Sequence, residues 1–234
     1  MNRYMQKVLS AYLASAAISL SPGISSAMLP AMEDFPMTLV DSIMDEILDE
    51  QIPDGQKLKM LTSIAADKRA EVRIRVCELL AHQLDTLDSR DVMPLLSQLA
   101  GDRDPSVRNE LRRTIAGVLE HADVLTRTTM IGEWAFSSSR SLRYMLVTAL
   151  KEDFFCLGLT SVLSHLSNDP NVLVRRAVVD VAIARMNENP VAYKRLLDTM
   201  TEDTRQEVRY AARHGLQVMG SKNYSPMTAP GALL

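Results

Sequence analysis

The sequence predicts an all-α fold, an α-solenoid of five helical hairpins preceded by N-terminal helices. Three observations lead to it. A seven-residue pattern recurs five times at nearly constant spacing. Apolar residues flank every copy at helical intervals. Only nine Gly and ten Pro interrupt 234 residues, and most of the Pro fall between helical stretches or in the tails. The chain is long enough for one sizeable core or a short repeat array. With 47% hydrophobic and 24% charged residues it has an ordinary globular composition. A formal net charge of −3 lacks the strong basic excess of a nucleic-acid module.

Residues 1–32 come first. They contain no Asp or Glu, but carry Arg3, Lys7 and six serines. The mildly apolar run Val8–Leu20 has 13 residues, too short to span a bilayer. This segment reads as a first helix packed on the end of the array. The alternative is a cleaved export or transit segment ending near Ser25-Ser26-Ala27. The expected setting is therefore the cytoplasm, or an exported or organellar one if residues 1–27 are removed.

Residues 33–54 hold eight acids and no base. Leu39, Val40, Ile43, Met44, Ile47 and Leu48 form the opposite stripe, so an amphipathic acidic helix is expected. Such a helix caps the first repeat with a polar outer face, and the alternative is a docking strip for a basic partner. Residues 55–234 carry 24 bases and 21 acids, which leaves the chain acidic near its start and mildly basic along the repeats. That polarity favours an ordered protein contact over a uniform phosphate groove.

The repeat array is expected over 55–219. Its signature stretches are DKRAEVR at 67–73, DRDPSVR at 102–108, SSSRSLR at 137–143, DPNVLVR at 169–175 and DTRQEVR at 203–209, with starts 35, 35, 32 and 34 residues apart. Each has Asp (once Ser), five residues, then Arg, with Val or Leu before the Arg. An apolar first helix precedes each copy: Leu58, Leu61 and Ile64; Val92, Leu95, Leu96 and Leu99; Leu125, Met130, Ile131 and Trp134; Leu157, Val162, Leu163 and Leu166; Val191, Leu196, Leu197 and Met200. A second apolar helix follows each, as in Val107, Leu111, Ile115 and Val118. Steps of three and four place these residues on one face. A single hairpin cannot bury that stripe alone, so neighbours must stack. From Gly220 the small, polar and Pro residues read as a flexible tail.

These stretches resemble the HEAT repeat family, including the bacterial HEAT-like repeats of phycobilin lyases. DRDPSVR is the closest copy, and in the third copy Ser137 replaces the turn Asp. The resemblance implies that turn Asp and helix Arg bond within and between neighbouring repeats. Asp67, Asp102, Asp169 and Asp203, with Arg73, Arg108, Arg143, Arg175 and Arg209, are thus expected to form a structural ladder. The physical basis is an Asp accepting backbone N–H groups near a helix start and an Arg fork bridging to a carboxylate or carbonyl.

Second helices of such hairpins commonly line a concave binding surface. The residues just after the ladder arginines are Ile74, Asn109, Tyr144, Arg176 and Tyr210. Four further on come Glu78, Arg113, Thr148, Asp180 and His214. Tyr and Arg are common anchors at interfaces. The candidate contact residues are therefore Arg113, Tyr144, Arg176, Tyr210 and His214.

No catalytic, cofactor or metal residues are nominated. The sequence has no phosphate-cradling glycine loop and no nucleophile elbow. His82, His121, His165 and His214 lie about 40 residues apart, outside metal-ligand spacing. Cys77 and Cys156 fit no redox or metal pattern. Trp134 reads as core. The leading expectation is a non-catalytic scaffold or adaptor that grips a protein partner, with nucleic acid disfavoured and no membrane span. Two alternatives come from the resemblance. One is a HEAT-like DNA glycosylase or other nucleic-acid-binding enzyme, which needs a basic groove and clustered aromatics. The other is a bilin lyase-like or chaperone-like subunit.

Overall fold

The computed structural model describes residues 52–84, 87–152 and 154–221, together with 41, 45, 47 and 48. The readings of 1–32 and of 222–234, and most of that of the acidic helix at 33–54, lie outside the described residues. Among the described residues the chain is all-helical. The helices described in full are α1 Asp54–Ile64, α2 Ala70–Gln83, α3 Ser89–Ala100, α4 Pro105–His121, α5 Val124–Ala135, α6 Arg140–Ala149, α7 Leu159–Leu166, α8 Val172–Ala184, α9 Pro190–Met200 and α10 Gln206–Ser221. Two expected boundaries move. Asp54 opens α1 instead of closing the acidic segment, and α10 continues to Ser221, into the expected tail. No helix of the described residues is long and apolar enough to cross a membrane.

Helix starts follow local chemistry. Asp88, Asp123, Ser139, Asn171 and Asn189 accept backbone N–H groups at the starts of α3, α5, α6, α8 and α9, and Pro190 opens α9 where its missing N–H costs nothing. Gly158 precedes α7 at φ +70°, a left-handed position that glycine adopts without a Cβ penalty.

The chain divides into two compact units, Met1–Thr114 and Ile115–Leu234. In the first, α1 packs on α2 and on α3. There α2 and α4 are joined by Thr114 Oγ1 donating to Cys77 O at 2.9 Å. In the second, α5, α7 and α9 contact one another in succession, as do α6, α8 and α10. Odd and even helices therefore form two layers within that unit, with the core between them. Trp134, Leu146, Leu163, Val178, Leu197 and Val208 are fully buried there. Gly215 lets α10 come close. A Cβ at that position would lie 2.8 Å from Ile183 Cγ1 and 3.1 Å from Leu197 Cδ1.

Four residues expected on buried stripes are exposed instead. Leu125 is 76%, Leu157 54%, Val191 81% and Leu48 45% accessible, whereas Ile47 beside Leu48 is fully buried. Leu125 and Val191 sit in the first turns of α5 and α9. The buried stripes there begin later, at Met130 and at Tyr193. Leu157 precedes Gly158, so α7 starts at Leu159 and the buried face runs Leu159, Leu163, Leu166.

The repeated heptapeptide forms the turn inside each hairpin. Its first residue closes the turn on the backbone N–H two residues on: Asp67 with Arg69 at 2.8 Å, Asp102 with Asp104 at 2.8 Å, Asp169 with Asn171 at 2.7 Å and Asp203 with Arg205 at 2.8 Å. Ser137 Oγ does the same for Ser139 N at 3.2 Å. Six residues after the turn residue, the arginine Nη1 donates back to that residue's own carbonyl in all five copies, at 2.6–2.8 Å. Because the acceptor is main chain, Ser137 keeps this bond.

The rest of the guanidinium reaches the next repeat. Arg73 grips Asp102 at 2.6 and 2.8 Å, Arg143 grips Asp169 at 2.5 and 3.0 Å, and Arg175 grips Asp203 at 2.7 and 2.9 Å. Arg108 and Arg209 instead bond the carbonyls of their own turns. The Asp67 carboxylate pairs with Arg69. Truncation of Arg108 therefore costs less than loss of a complete fork. Arg108→Ala is expected to lower stability by about 1 kcal/mol in urea denaturation. A loss as large as that of an ion-paired arginine would contradict this division.

The ladder also makes stability depend on acidity. The Arg175 fork is the main influence on the Asp203 carboxyl and holds it below the ordinary carboxylate range. Burial by itself would raise the Asp102 carboxyl, but the Arg73 fork and the Asp104 N–H outweigh that and lower it too. A carboxyl depressed in the folded state stabilises it at every pH above the unfolded value, near ~3.9. That contribution disappears as pH falls through the folded value. The melting temperature should thus stay level from neutrality to about pH 5 and drop steeply below about pH 4. A scan of melting temperature against pH reads this directly, and Arg175→Ala should shallow the acid limb.

Candidate functional site

The five nominated residues do not all fall in one unit. Arg113 lies on α4 within Met1–Thr114, exposed and paired with Glu110 Oε2 at 2.7 Å. Tyr144, Arg176, Tyr210 and His214 lie within Ile115–Leu234. Tyr144, Arg176 and Tyr210 each follow a ladder arginine, on α6, α8 and α10. The ladder fixes the rotation of α6 and α8, since Arg143 and Arg175 face the turn of the following repeat, while on α10 Arg209 faces its own turn. The next residue is thereby turned outward. Tyr144 is 41% and Tyr210 61% exposed, Arg176 is half-buried, and His214 is exposed.

Arg176 Nη1 donates to Asp180 Oδ1 one turn along α8. Lys151, just past the end of α6, approaches the other oxygen of the same carboxylate at 3.6 Å. Lys151 was not nominated from sequence. The available signal is its place three residues after Thr148, which puts it on the same face.

A second group went unread in the sequence. Arg127 and Arg185 are buried, and their guanidinium carbons each lie 5.3 Å from the centroid of the Phe154 ring. Arg127 donates to Glu120 O at 2.8 Å and Ala122 O at 2.6 Å, and also to Leu119 O and Phe155 O. It so caps the carbonyl end of α4, where a cation also meets the negative end of the helix dipole. Arg185 donates to Leu150 O at 3.3 Å, to Phe154 O, and to Glu188 Oε1 at 2.5 Å. Together they hold the backbone carbonyls of Leu150, Phe154 and Phe155 between α6 and α7. Nothing in the local spacing sets these two arginines apart from solvated ones.

The remaining chemistry is sparse. Burial pushes the Cys77 thiol up to about 12 and raises that of Cys156, so neither is an activated thiolate at neutral pH. Burial likewise pushes the Tyr193 phenol up to about 12. His121 Nδ1 lies 2.7 Å from Gly117 O, and the His165 ring rests 4.1 Å from that of Phe136. Among the described residues no group of three or more His, Cys, Asp or Glu is placed to hold a metal ion. A cavity of about 370 Å³ in the first unit is lined by Asp41, Asp45, Arg75, Glu78 and His82, with Arg75 and Glu78 already paired at 2.8 Å.

The class these features define is an all-helical protein built of paired helices with a cross-repeat Arg–Asp ladder. No family model matches the chain. No curated protein matches it in sequence. Among solved structures it is similar to the crystal structure of Cex1p, at 14% identity and a TM-score of 0.51. The match covers 93% of this chain and 42% of that one, so the chain spans less than half of that structure's length. The likeness concerns the all-helical fold.

Proposed function

We propose that the chain is a HEAT-like α-solenoid serving as a non-catalytic scaffold or adaptor, working in the cytoplasm and binding a protein partner on its second-helix layer. The observation that supports this most is the row Tyr144, Arg176, Tyr210, turned outward on three successive second helices by the ladder arginines beside them. Exposed Tyr offers large contact area at small entropic cost, and Arg offers several donors at once.

The test is affinity capture from lysate with mass spectrometry, comparing the full-length chain with Tyr144→Ala/Tyr210→Ala. The double variant should keep its helical circular dichroism and lose at least about tenfold in partner recovery, since central aromatic anchors are each worth ~1–2 kcal/mol or more. Equal recovery by both proteins would refute the assignment of this surface.

A further inference from the structure

The charges around this row point to one chemistry of partner. On α6, α8 and α10 the charged residues beyond Arg143 and Arg175, which pair with Asp169 and Asp203, are Arg140, Arg176, Arg209 and Arg213 against Asp180 and Glu207. The layer is therefore basic on balance, although the chain as a whole is acidic. The imbalance is sharpest at the centre of the row. There two cations, Arg176 and Lys151, share the single carboxylate of Asp180. Two bases therefore face the one carboxylate of Asp180, and Glu152 is next to Lys151 in the chain. Tyr144 stands on one side and Tyr210 on the other, with an exposed phenol face on each neighbouring helix. Leu173, 58% exposed and one turn before Arg176, adds an apolar contact.

We infer that this layer binds an extended acidic peptide segment, with a partner carboxylate seated between Lys151 and Arg176 and the flanking side chains packed on Tyr144 and Tyr210. The inference rests on the scaffold reading above and names the partner's chemistry. A partner carboxylate beside Asp180 would meet both bases, and charge complementarity of this kind sets specificity and on-rate. Three helices packed about 9 Å apart span roughly 20 Å, a distance that six or seven extended residues cover. Carboxylates are also favoured over a phosphate backbone here. A peptide can set single carboxylates against the bases and neutral side chains against Asp180 and Glu207, whereas a phosphate backbone repeats its charge at every nucleotide.

The test is fluorescence anisotropy with labelled homopolymers of about 12 residues, long enough to cross the row. Poly-Glu, poly-Gln, poly-Lys and single-stranded poly-dT are compared. Poly-Glu should bind at least about tenfold more tightly than poly-Gln, and poly-Lys not at all, with affinity falling as salt rises. Lys151→Glu/Arg176→Glu should lose about tenfold or more, whereas Asp180→Asn should tighten binding by a few fold. Circular dichroism and gel filtration establish that the variants are folded. Should the charge reversal unfold the chain, the Asp180→Asn result decides the matter instead.

The acidic assignment is overturned by equal affinity for poly-Glu and poly-Gln, by weaker binding in Asp180→Asn, by tighter binding of poly-dT, or by no binding of poly-Glu. The scaffold reading survives any of these if lysate capture is still lost in Tyr144→Ala/Tyr210→Ala. It fails separately if that capture is unchanged.

Discussion

Trp134→Ala should lower the unfolding free energy by about 4 kcal/mol, the larger of the two effects expected of single changes. Trp134 is fully buried on α5, among Met130, Ile131 and Ala135 of its own helix and the helices α6 and α7 that pack against α5. Removing the indole deletes the transfer free energy of its whole apolar surface and leaves a cavity that flanking helices fill only in part. Against a typical total of 5–15 kcal/mol, a loss of that size takes a large share of the fold's stability. Urea denaturation followed by circular dichroism gives the number. A loss under about 1 kcal/mol would mean that this core is loosely packed, contrary to its full burial. Trp134→Phe keeps most of the volume and should recover more than half of the loss.

Arg175→Ala should cost about 3 kcal/mol. The guanidinium makes four bonds, two to Asp203 and two to the carbonyls of Asp169 and Pro170. Truncation leaves the Asp203 carboxylate, whose side chain is only 7% exposed, without its fork. Breaking a buried pair on one side costs more than the pair contributes, because the orphaned charge remains. Arg175→Ala/Asp203→Ala should therefore be less destabilised than the sum of the two single variants, by about 1–3 kcal/mol of coupling. Additive losses would show that the two residues act independently and would remove the cross-repeat link from the account of stability. Arg143 and Asp169 offer an equivalent pair in the same unit.

Much of this was legible in the residues. Among the described residues, the paired helices, their turns and the bonded arginines follow a pattern that repeats every 32–35 residues. Each copy is an independent reading of the same local geometry, and five copies fix it. The substitution of Ser137 was legible too, as an interruption of the carboxylate series. That the turn survives it was not read there: Ser137 Oγ takes over the bond to the Ser139 N–H, and the Arg143 bond to the Ser137 carbonyl needs no side chain at that position. The exposed Leu125, Leu157 and Val191 show where periodicity misleads. An apolar residue at the right interval is buried only if a neighbouring helix reaches that turn, and the interval carries no information on that.

The candidate row divides in the same way. Tyr144, Arg176 and Tyr210 were found by counting from the ladder, since a helix converts sequence offset into direction. The cluster of Lys151 with Arg176 and Asp180, and the clamp of Arg127 and Arg185 on Phe154, join residues up to 31 positions apart. What the sequence determined by itself was everything set by bonds within a hairpin and by the repetition of that hairpin. Only the tertiary structure decided which apolar residues stay in water and which cations share a carboxylate. Those outcomes depend on distances between helices, and no residue spacing along one helix encodes them.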